Sequence, residues 1–333
     1  MKHPVFVVGA PRSGTTMLRV VLDRHPQIAM WPGESAFFRR VYDRRETFGD
    51  PSDLRNREHI VNAYLAIEPM HRLKIDLSTL KERMLAEGST WPALFGSMIR
   101  HYATIQGKLY GGEKTPAHVH RIDTLRAWFP GCAIIHIVRD PRDVVSSLVR
   151  MPWSNRSVLF AARTWKNSNI AGQAASGADD YLLVKYEELA ANPELALNKI
   201  CRHLGVAYDS LLLKPKEGVP LARPAIARAN KPISSDRIGL WREAFQPWQI
   251  AAIEATAGPL MQQYGYTPAG LSATALDLAK ARAEEIVEVG LQVASRVPCA
   301  FFRYLQPANL EAEERWIARA GEMYWSLRPK PKS

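Results

Sequence analysis

Val5-Phe6-Val7-Val8-Gly9-Ala10-Pro11-Arg12-Ser13-Gly14-Thr15-Thr16 is the stretch whose reading decides the fold. Val5 to Val8 are four apolar residues, three of them β-branched, and read as a buried strand. A short loop punctuated by Gly9 and Gly14 follows. Met17 to Arg24 then reads as a helix with Met17, Leu18, Val21 and Leu22 on one face. Strand, glycine loop and helix together present backbone N–H groups to an anion at a helix N-terminus. Arg12 and the hydroxyls of Ser13, Thr15 and Thr16 supply more anion donors than a turn needs. The loop is expected to hold a phosphate or sulfate group.

Outward from this loop, strands and helices alternate. Ile28 to Met30, Ala133 to Val138 and Tyr181 to Val184 read as strands. Residues 37–108 are rich in charge and helix formers and read as a helical insertion, with loops around 47–53 and 87–89. Thr90-Trp91-Pro92 opens its last helix and Gly107 closes it. Tyr110-Gly111-Gly112-Glu113-Lys114-Thr115-Pro116 reads as a turn, with Thr115 as N-cap of a helix reaching about Phe129. Asp140 and Pro141 start a helix toward Arg150, Val158 to Ala175 is helical, and Asn192-Pro193 opens a helix closed by Gly205. Residues 215–240 form a Pro- and Arg-rich loop, and Trp248 to Tyr264 is a helix ending at Gly265.

The alternation predicts an α/β fold of P-loop type: a three-layer α/β/α arrangement with a mainly parallel central sheet and helical insertions. Residues 1–268 would form that domain and 269–333 a helical C-terminal appendage. In the appendage, Ser272 to Arg296 and Asn309 to Leu327 read as helices and residues 328–332 as a frayed tail. Its apolar residues, including Ile286, Val287, Val289, Val293, Trp316 and Trp325, are expected to pack back on the domain. A homodimer contact or a peripheral membrane patch is the alternative.

The 333 residues carry 47% hydrophobic and 23% charged side chains, an ordinary globular composition. The net charge of +11 suits an anionic ligand. No block of five or more basic residues occurs, so nucleic acid is not expected as a partner. Cys132, Cys201 and Cys299 lack metal spacing and read as reduced thiols. No apolar run approaches the ~18 residues of a membrane span, and Val5 to Val8 is too short for a signal segment. A cytoplasmic protein without a transmembrane span is the expectation.

Two motifs carry chemistry. The first loop has the spacing of a Walker loop, G-x-x-x-x-G-K-[ST], but Thr15 occupies the lysine position. That substitution counts against a P-loop small-molecule kinase and leaves anion binding intact. The second motif is Val138-Arg139-Asp140-Pro141-Arg142-Asp143 with Ser147 two turns into the next helix. Arg139 ends a strand, at the ligand edge of an open α/β sheet. Arg139 and Ser147 could grip a second anionic group; the bland alternative is a salt-bridged loop among Arg139, Asp140, Arg142 and Asp143.

Together, Pro11-Arg12-Ser13-Gly14-Thr15-Thr16 and the Arg139 motif resemble the PAPS-dependent sulfotransferases, where PAPS is 3′-phosphoadenosine 5′-phosphosulfate. The likeness is strongest to the bacterial and tyrosylprotein members. It extends through Asp23-x-His25-Pro26, Gly33-Glu34, Lys114-Thr115-Pro116, Tyr186-Glu187-x-Leu189, Lys231-Pro232 and Arg237-x3-Trp241, in consistent order from about residue 4 to 266. The resemblance implies that Arg12 and the amides of Ser13, Gly14, Thr15 and Thr16 hold the 5′-phosphosulfate. Arg139 and Ser147 would hold the 3′-phosphate, with Tyr186 near the nucleotide and Arg237 closing over it. It makes Glu34 the general base toward a hydroxyl-bearing acceptor, and Lys114, with Arg12, the stabiliser of the leaving phosphate; PAP would be the product.

Sulfuryl transfer asks for positioning and electrostatics, and no metal is obligatory. An apolar wall of Trp31, Phe37 and Phe38 beside Glu34 would push its carboxyl up. Read structurally, Glu34 helps cap a helix start and Lys114 pairs with Glu113 in solvent. His118, one turn from Lys114, is the reserve base, whereas His25 and His136 read as structural. A non-catalytic PAP(S)-binding module is the remaining alternative. The acceptor stays open among carbohydrate, lipid-linked glycan, small alcohol or phenol, and peptide tyrosine.

Overall fold

The computed structural model of the chain describes residues 3–67, 70, 73, 75–151, 154–155, 157–215 and 231–305. The candidate helix at 309–327, Trp316, Trp325, the basic tail and residues 216–230 of the long loop lie outside them.

Five strands form one sheet: β1 Val5–Gly9, β2 Ile28–Met30, β3 Tyr110–Lys114, β4 Ala133–Val138 and β5 Tyr181–Lys185, in the order β2-β3-β1-β4-β5. Every pairing is parallel; Val5 stands beside Gly112 on one side and Ala133 on the other. A central parallel strand is covered on both faces, which is why β1 is apolar throughout rather than alternating. Val5 and Val7 join Leu18, Val21, Leu22, Ile135, Ile137 and Leu197 on one face. Phe6 and Val8 join Phe37, Phe95, Met98 and Ile99 on the other. Val5 to Val8 are each at most 1% exposed, a burial contributing about 1.5–3 kcal/mol per side chain. Helices Thr15–Leu22 and Pro193–Leu204 cover the first face; the insertion and Val158–Ala174 lie on the second. The result is the three-layer α/β/α arrangement read from the sequence.

The insertion is helical, through Phe37–Arg40, Arg45–Phe48, Leu54–Leu65, Leu77–Glu87 and Trp91–Ile105. Thr90 caps the last of these by accepting from the Ala93 N–H.

Three expectations need correction. Tyr110 to Lys114 is a strand and not a turn. Two successive glycines read as punctuation, but Gly112 serves packing between neighbouring strands. A Cβ there would lie 2.4 Å from Met30 Sδ and 2.7 Å from the Val5 carbonyl oxygen. The helix from Trp248 to Tyr264 is two, Pro247–Ala257 and Pro259–Gln263, because Gly258 adopts φ +58 and Pro259 cannot continue the hydrogen-bond ladder. The first appendage helix spans Ala275–Leu305, running through Pro298. It packs through Ala281 and Glu285, while Leu276, Ile286, Val287 and Val293 stay exposed. The expected back-packing thus holds for one part of this helix and not for those side chains. Among the described residues, no helix is long and apolar enough to cross a membrane.

Strand order places the crevice. From β1 the chain goes to β2 and β3 on one side, and β4 and β5 lie on the other. The loops after β1 and β4 therefore leave a gap at the C-terminal edge of the sheet, where open α/β sheets hold ligands.

Candidate functional site

The loop after β1 is shaped by backbone conformations that need glycine. Gly9 has φ +148, and a Cβ there would lie 2.4 Å from the Ile137 carbonyl oxygen; Gly14 has φ +102, with Tyr186 Cδ2 2.7 Å from its missing Cβ. Arg12 itself adopts φ +73, a strained value for a side-chain-bearing residue. Gly14 caps the Thr15–Leu22 helix without a side-chain acceptor. The first N–H groups of that helix therefore have no partner within it, and they carry the positive end of its dipole. The Ser13 hydroxyl is buried with no hydrogen-bond partner. A cradle of unspent donors is a fit for an anion.

Arg139 leaves the end of β4 into the same gap. Its carbonyl accepts from Trp165 Nε1 at 2.9 Å, and its guanidinium lies 4.4 Å from the Tyr186 ring centroid. Nη1 donates to the Arg12 carbonyl at 3.4 Å and Nη2 to the Arg237 carbonyl, with Asp143 at 3.7 Å. Arg12 Nε donates to Ser147 Oγ at 2.9 Å. The sequence groups Ser147 with Arg139; the structure hands its hydroxyl to Arg12, joining the two anion motifs. Burial lowers the Arg12 pKa, and the Arg139 and Arg237 charges lower it further, with Glu34 opposing. Among the described residues no carboxylate lies within ion-pair distance of Arg12. Three guanidinium charges thus act on one another here, with Asp143 3.7 Å from Arg139 and the Glu34 charge opposing them at Arg12, an arrangement that suits an anionic ligand.

The salt-bridged alternative also has its place, in the neighbouring residues. Arg142 pairs with Asp140 and Glu254, each at 2.7 Å, and stacks 4.0 Å from the Trp241 ring. Asp140 caps the Pro141–Leu148 helix, as expected. Asp143, the last residue of the second motif, also accepts from outside it, from the Gly239 N–H at 2.8 Å and the Trp241 N–H at 3.1 Å. That ties the loop bearing Arg237 to the helix after Arg139.

Lys114 and Glu34 meet from 80 residues apart: Nζ lies 2.7 Å from Oε1. The Lys114 side chain is 4% exposed and that of Glu34 54%. Trp31, Phe37 and Phe38 do not enclose Glu34; they are core residues, because their large rings gain more from burial among Phe95, Tyr64 and Trp128. Lys114 does not pair with Glu113. Successive strand residues point to opposite faces, so Glu113 enters the core, fully buried, and accepts from Ser35 N at 3.0 Å and Thr115 Oγ1 at 2.5 Å. His118 Nδ1 lies 3.0 Å from its other oxygen. Burial works against the Glu113 charge, but His118, the Thr115 hydroxyl and the Ser35 N–H outweigh it and hold its pKa below the ordinary value. His118 is therefore occupied in the core, between Glu113 and the Phe38 and Phe95 rings. The alternation signal for Glu113 was present in the sequence, hidden by reading the stretch as a turn. His25 and His136 are structural as expected, bonded to the Ala207 carbonyl and the Tyr181 hydroxyl.

Comparison with known proteins agrees with this geometry. Residues 4–210 match the model of the sulfotransferase family. The chain is 24% identical over 284 residues to protein-tyrosine sulfotransferase 1 of Danio rerio, covering 79% of this chain and 72% of that protein. It is 24% identical to protein-tyrosine sulfotransferase A of Caenorhabditis elegans, covering 79% and 67%. Among solved structures, the sulfotransferase domain of the Synechococcus PCC 7002 olefin synthase superposes with a TM-score of 0.56 at 25% identity, covering 80% of this chain and 97% of that one. The sulfotransferase domain from the curacin biosynthetic pathway gives 0.58 at 18% identity, covering 80% and 99%. With a parallel sheet and a glycine loop after β1 in place, the family match over more than half of its length establishes that this chain belongs to the sulfotransferase family.

Proposed function

We propose that the protein transfers the sulfuryl group of PAPS to a hydroxyl of an acceptor and releases PAP. The observation that carries this reading is the gathering of Arg12, Arg139 and Arg237 beside the ends of β1 and β4, with no carboxylate of the described residues within ion-pair distance of Arg12. PAPS brings an activated sulfuryl group between two phosphate-bearing ends. Arg12, the amides at Ser13 to Thr16, of which that of Ser13 also donates to the Ala10 carbonyl, and the orphan Ser13 hydroxyl would hold its 5′ end, and Arg139 its 3′-phosphate, with Tyr186 and Arg237 at the nucleotide. Ser147 would orient Arg12.

Glu34 would take the acceptor proton; its exposed carboxylate, anchored by Lys114, supports this role. Lys114, almost fully buried, would bring its Nζ to the leaving phosphate oxygen as that oxygen develops negative charge. Thr15 offers no amine for a kinase-type grip. The acceptor is a hydroxyl compound; the relatives named for protein tyrosine make peptide tyrosine the first class to try.

Thermal shift tests the cofactor reading. PAP without Mg²⁺ is expected to raise the melting temperature, with little response to ATP. Stabilisation by ATP and Mg²⁺ but not by PAP would overturn it.

A further inference from the structure

Glu34 sits on a stretch, Trp31 to Ala36, that belongs to no strand or helix. Its place therefore depends on side-chain and backbone anchors. The Trp31 N–H donates to the Gly112 carbonyl at 2.8 Å, fixing the start. Ser35 is held at both of its backbone groups by core side chains: its N–H by the Glu113 carboxylate at 3.0 Å, its carbonyl by the Tyr64 hydroxyl at 2.8 Å. Ala36 then turns through φ +54 into the Phe37–Arg40 helix. Only Pro32, Gly33 and Glu34 bridge between the two anchors.

The two residues that bracket Glu34 are neighbours on one strand. Lys114 points to the crevice and holds the Glu34 carboxylate; Glu113 points to the core and holds the amide that follows it. A fully buried carboxylate is costly unless its oxygens are satisfied. Here the Ser35 N–H and the Thr115 hydroxyl both donate to Oε1 and His118 Nδ1 lies 3.0 Å from Oε2, which makes Glu113 a rigid acceptor rather than a mobile one.

We propose that Glu113, which touches no reactant, is the positioning residue of Glu34: with Lys114 it fixes the backbone and the carboxylate of Glu34 from adjacent places on β3. This rests on Glu34 being the base of the reaction proposed above, but the geometry it asserts can be read without turnover. The side-chain Cε–Hε signal of Lys114, assigned by its loss in Lys114→Arg, reports the pair with Glu34, and Glu34→Ala gives its unpaired position.

Glu113→Ala is expected to move this signal more than half of the way to the Glu34→Ala position. Glu113→Gln keeps an acceptor oxygen for Ser35 and Thr115, and should restore it. A wild-type signal in Glu113→Ala, or no recovery in Glu113→Gln, overturns the proposal. If Glu113→Ala does not fold, Tyr64→Phe, which frees the Ser35 carbonyl and gives up a contact with Met98 Sδ, takes its place. It should shift the signal part of the way, and an unmoved signal is again fatal. PAP binding measured in parallel reports the cofactor end. Failure of the wild-type protein to bind PAP would sink the reaction while leaving the Lys114 comparison readable.

Discussion

Replacing Arg139 with alanine removes the cation that the proposed reaction assigns to the 3′-phosphate. A charge-assisted hydrogen bond contributes about 1.5–3 kcal/mol, and a guanidinium can place two on one phosphate. Part of that gain is already spent in the free protein. Arg139 bonds to the Arg237 carbonyl, lies near Asp143 and covers the Tyr186 ring, contacts that a ligand must partly displace. Its removal also relieves Arg12 of a like charge. The net loss of PAP affinity is then about 2–4 kcal/mol, roughly 30- to 1,000-fold in Kd.

Calorimetric titration with PAP and with adenosine 5′-monophosphate, which lacks the 3′-phosphate, isolates this term. Wild-type protein should prefer PAP strongly, and Arg139→Ala should bind the two ligands almost alike. The stability cost is small by comparison, because Asp143 keeps its two backbone donors. If Arg139→Ala weakens both nucleotides equally, or leaves PAP within about threefold of wild type, Arg139 does not hold that phosphate.

Two further outcomes follow from the same geometry. Glu34→Gln should keep PAP affinity while turnover falls by about 10²–10⁴-fold, the range for loss of a general base; unchanged turnover removes Glu34 from that role. His136 bears on stability: burial pushes its pKa down from 6.5 to about 4. Its unfolded form binds the proton first, so the penalty is absent above pH 6.5, grows as pH falls toward 4 and is constant below. A displacement of that size is worth about 3 kcal/mol. Denaturant unfolding of His136→Gln between those limits should lose most of this pH dependence, and a slope equal to wild type would show that His136 is not its source.

Much of the fold was legible because its signals are local. β-branched runs fixed β1 and β4, and Asp140, Asn192 and Thr90 marked helix starts through caps made within three residues. Gly111-Gly112 misled because a glycine required by a neighbouring strand looks the same as one required by a turn. In the candidate site, Arg12, Arg139 and Ser147 were legible from their motifs. Glu113 was not, because its role depends on a strand assignment, and the tie from Asp143 to Gly239 and Trp241 was not, because those partners lie nearly a hundred residues on.

By itself the sequence determined that a strand, a glycine loop and a helix come in that order, with an arginine in the loop and another at the end of β4, since backbone conformation and hydrogen-bond supply are properties of a few adjacent residues. Only the tertiary structure decided which groups share the crevice. It gave Ser147 to Arg12, Glu34 to Lys114, and Glu113 to the core beneath them. Those pairings are set by strand order and by which face of β3 each side chain leaves, and no spacing along the chain encodes either.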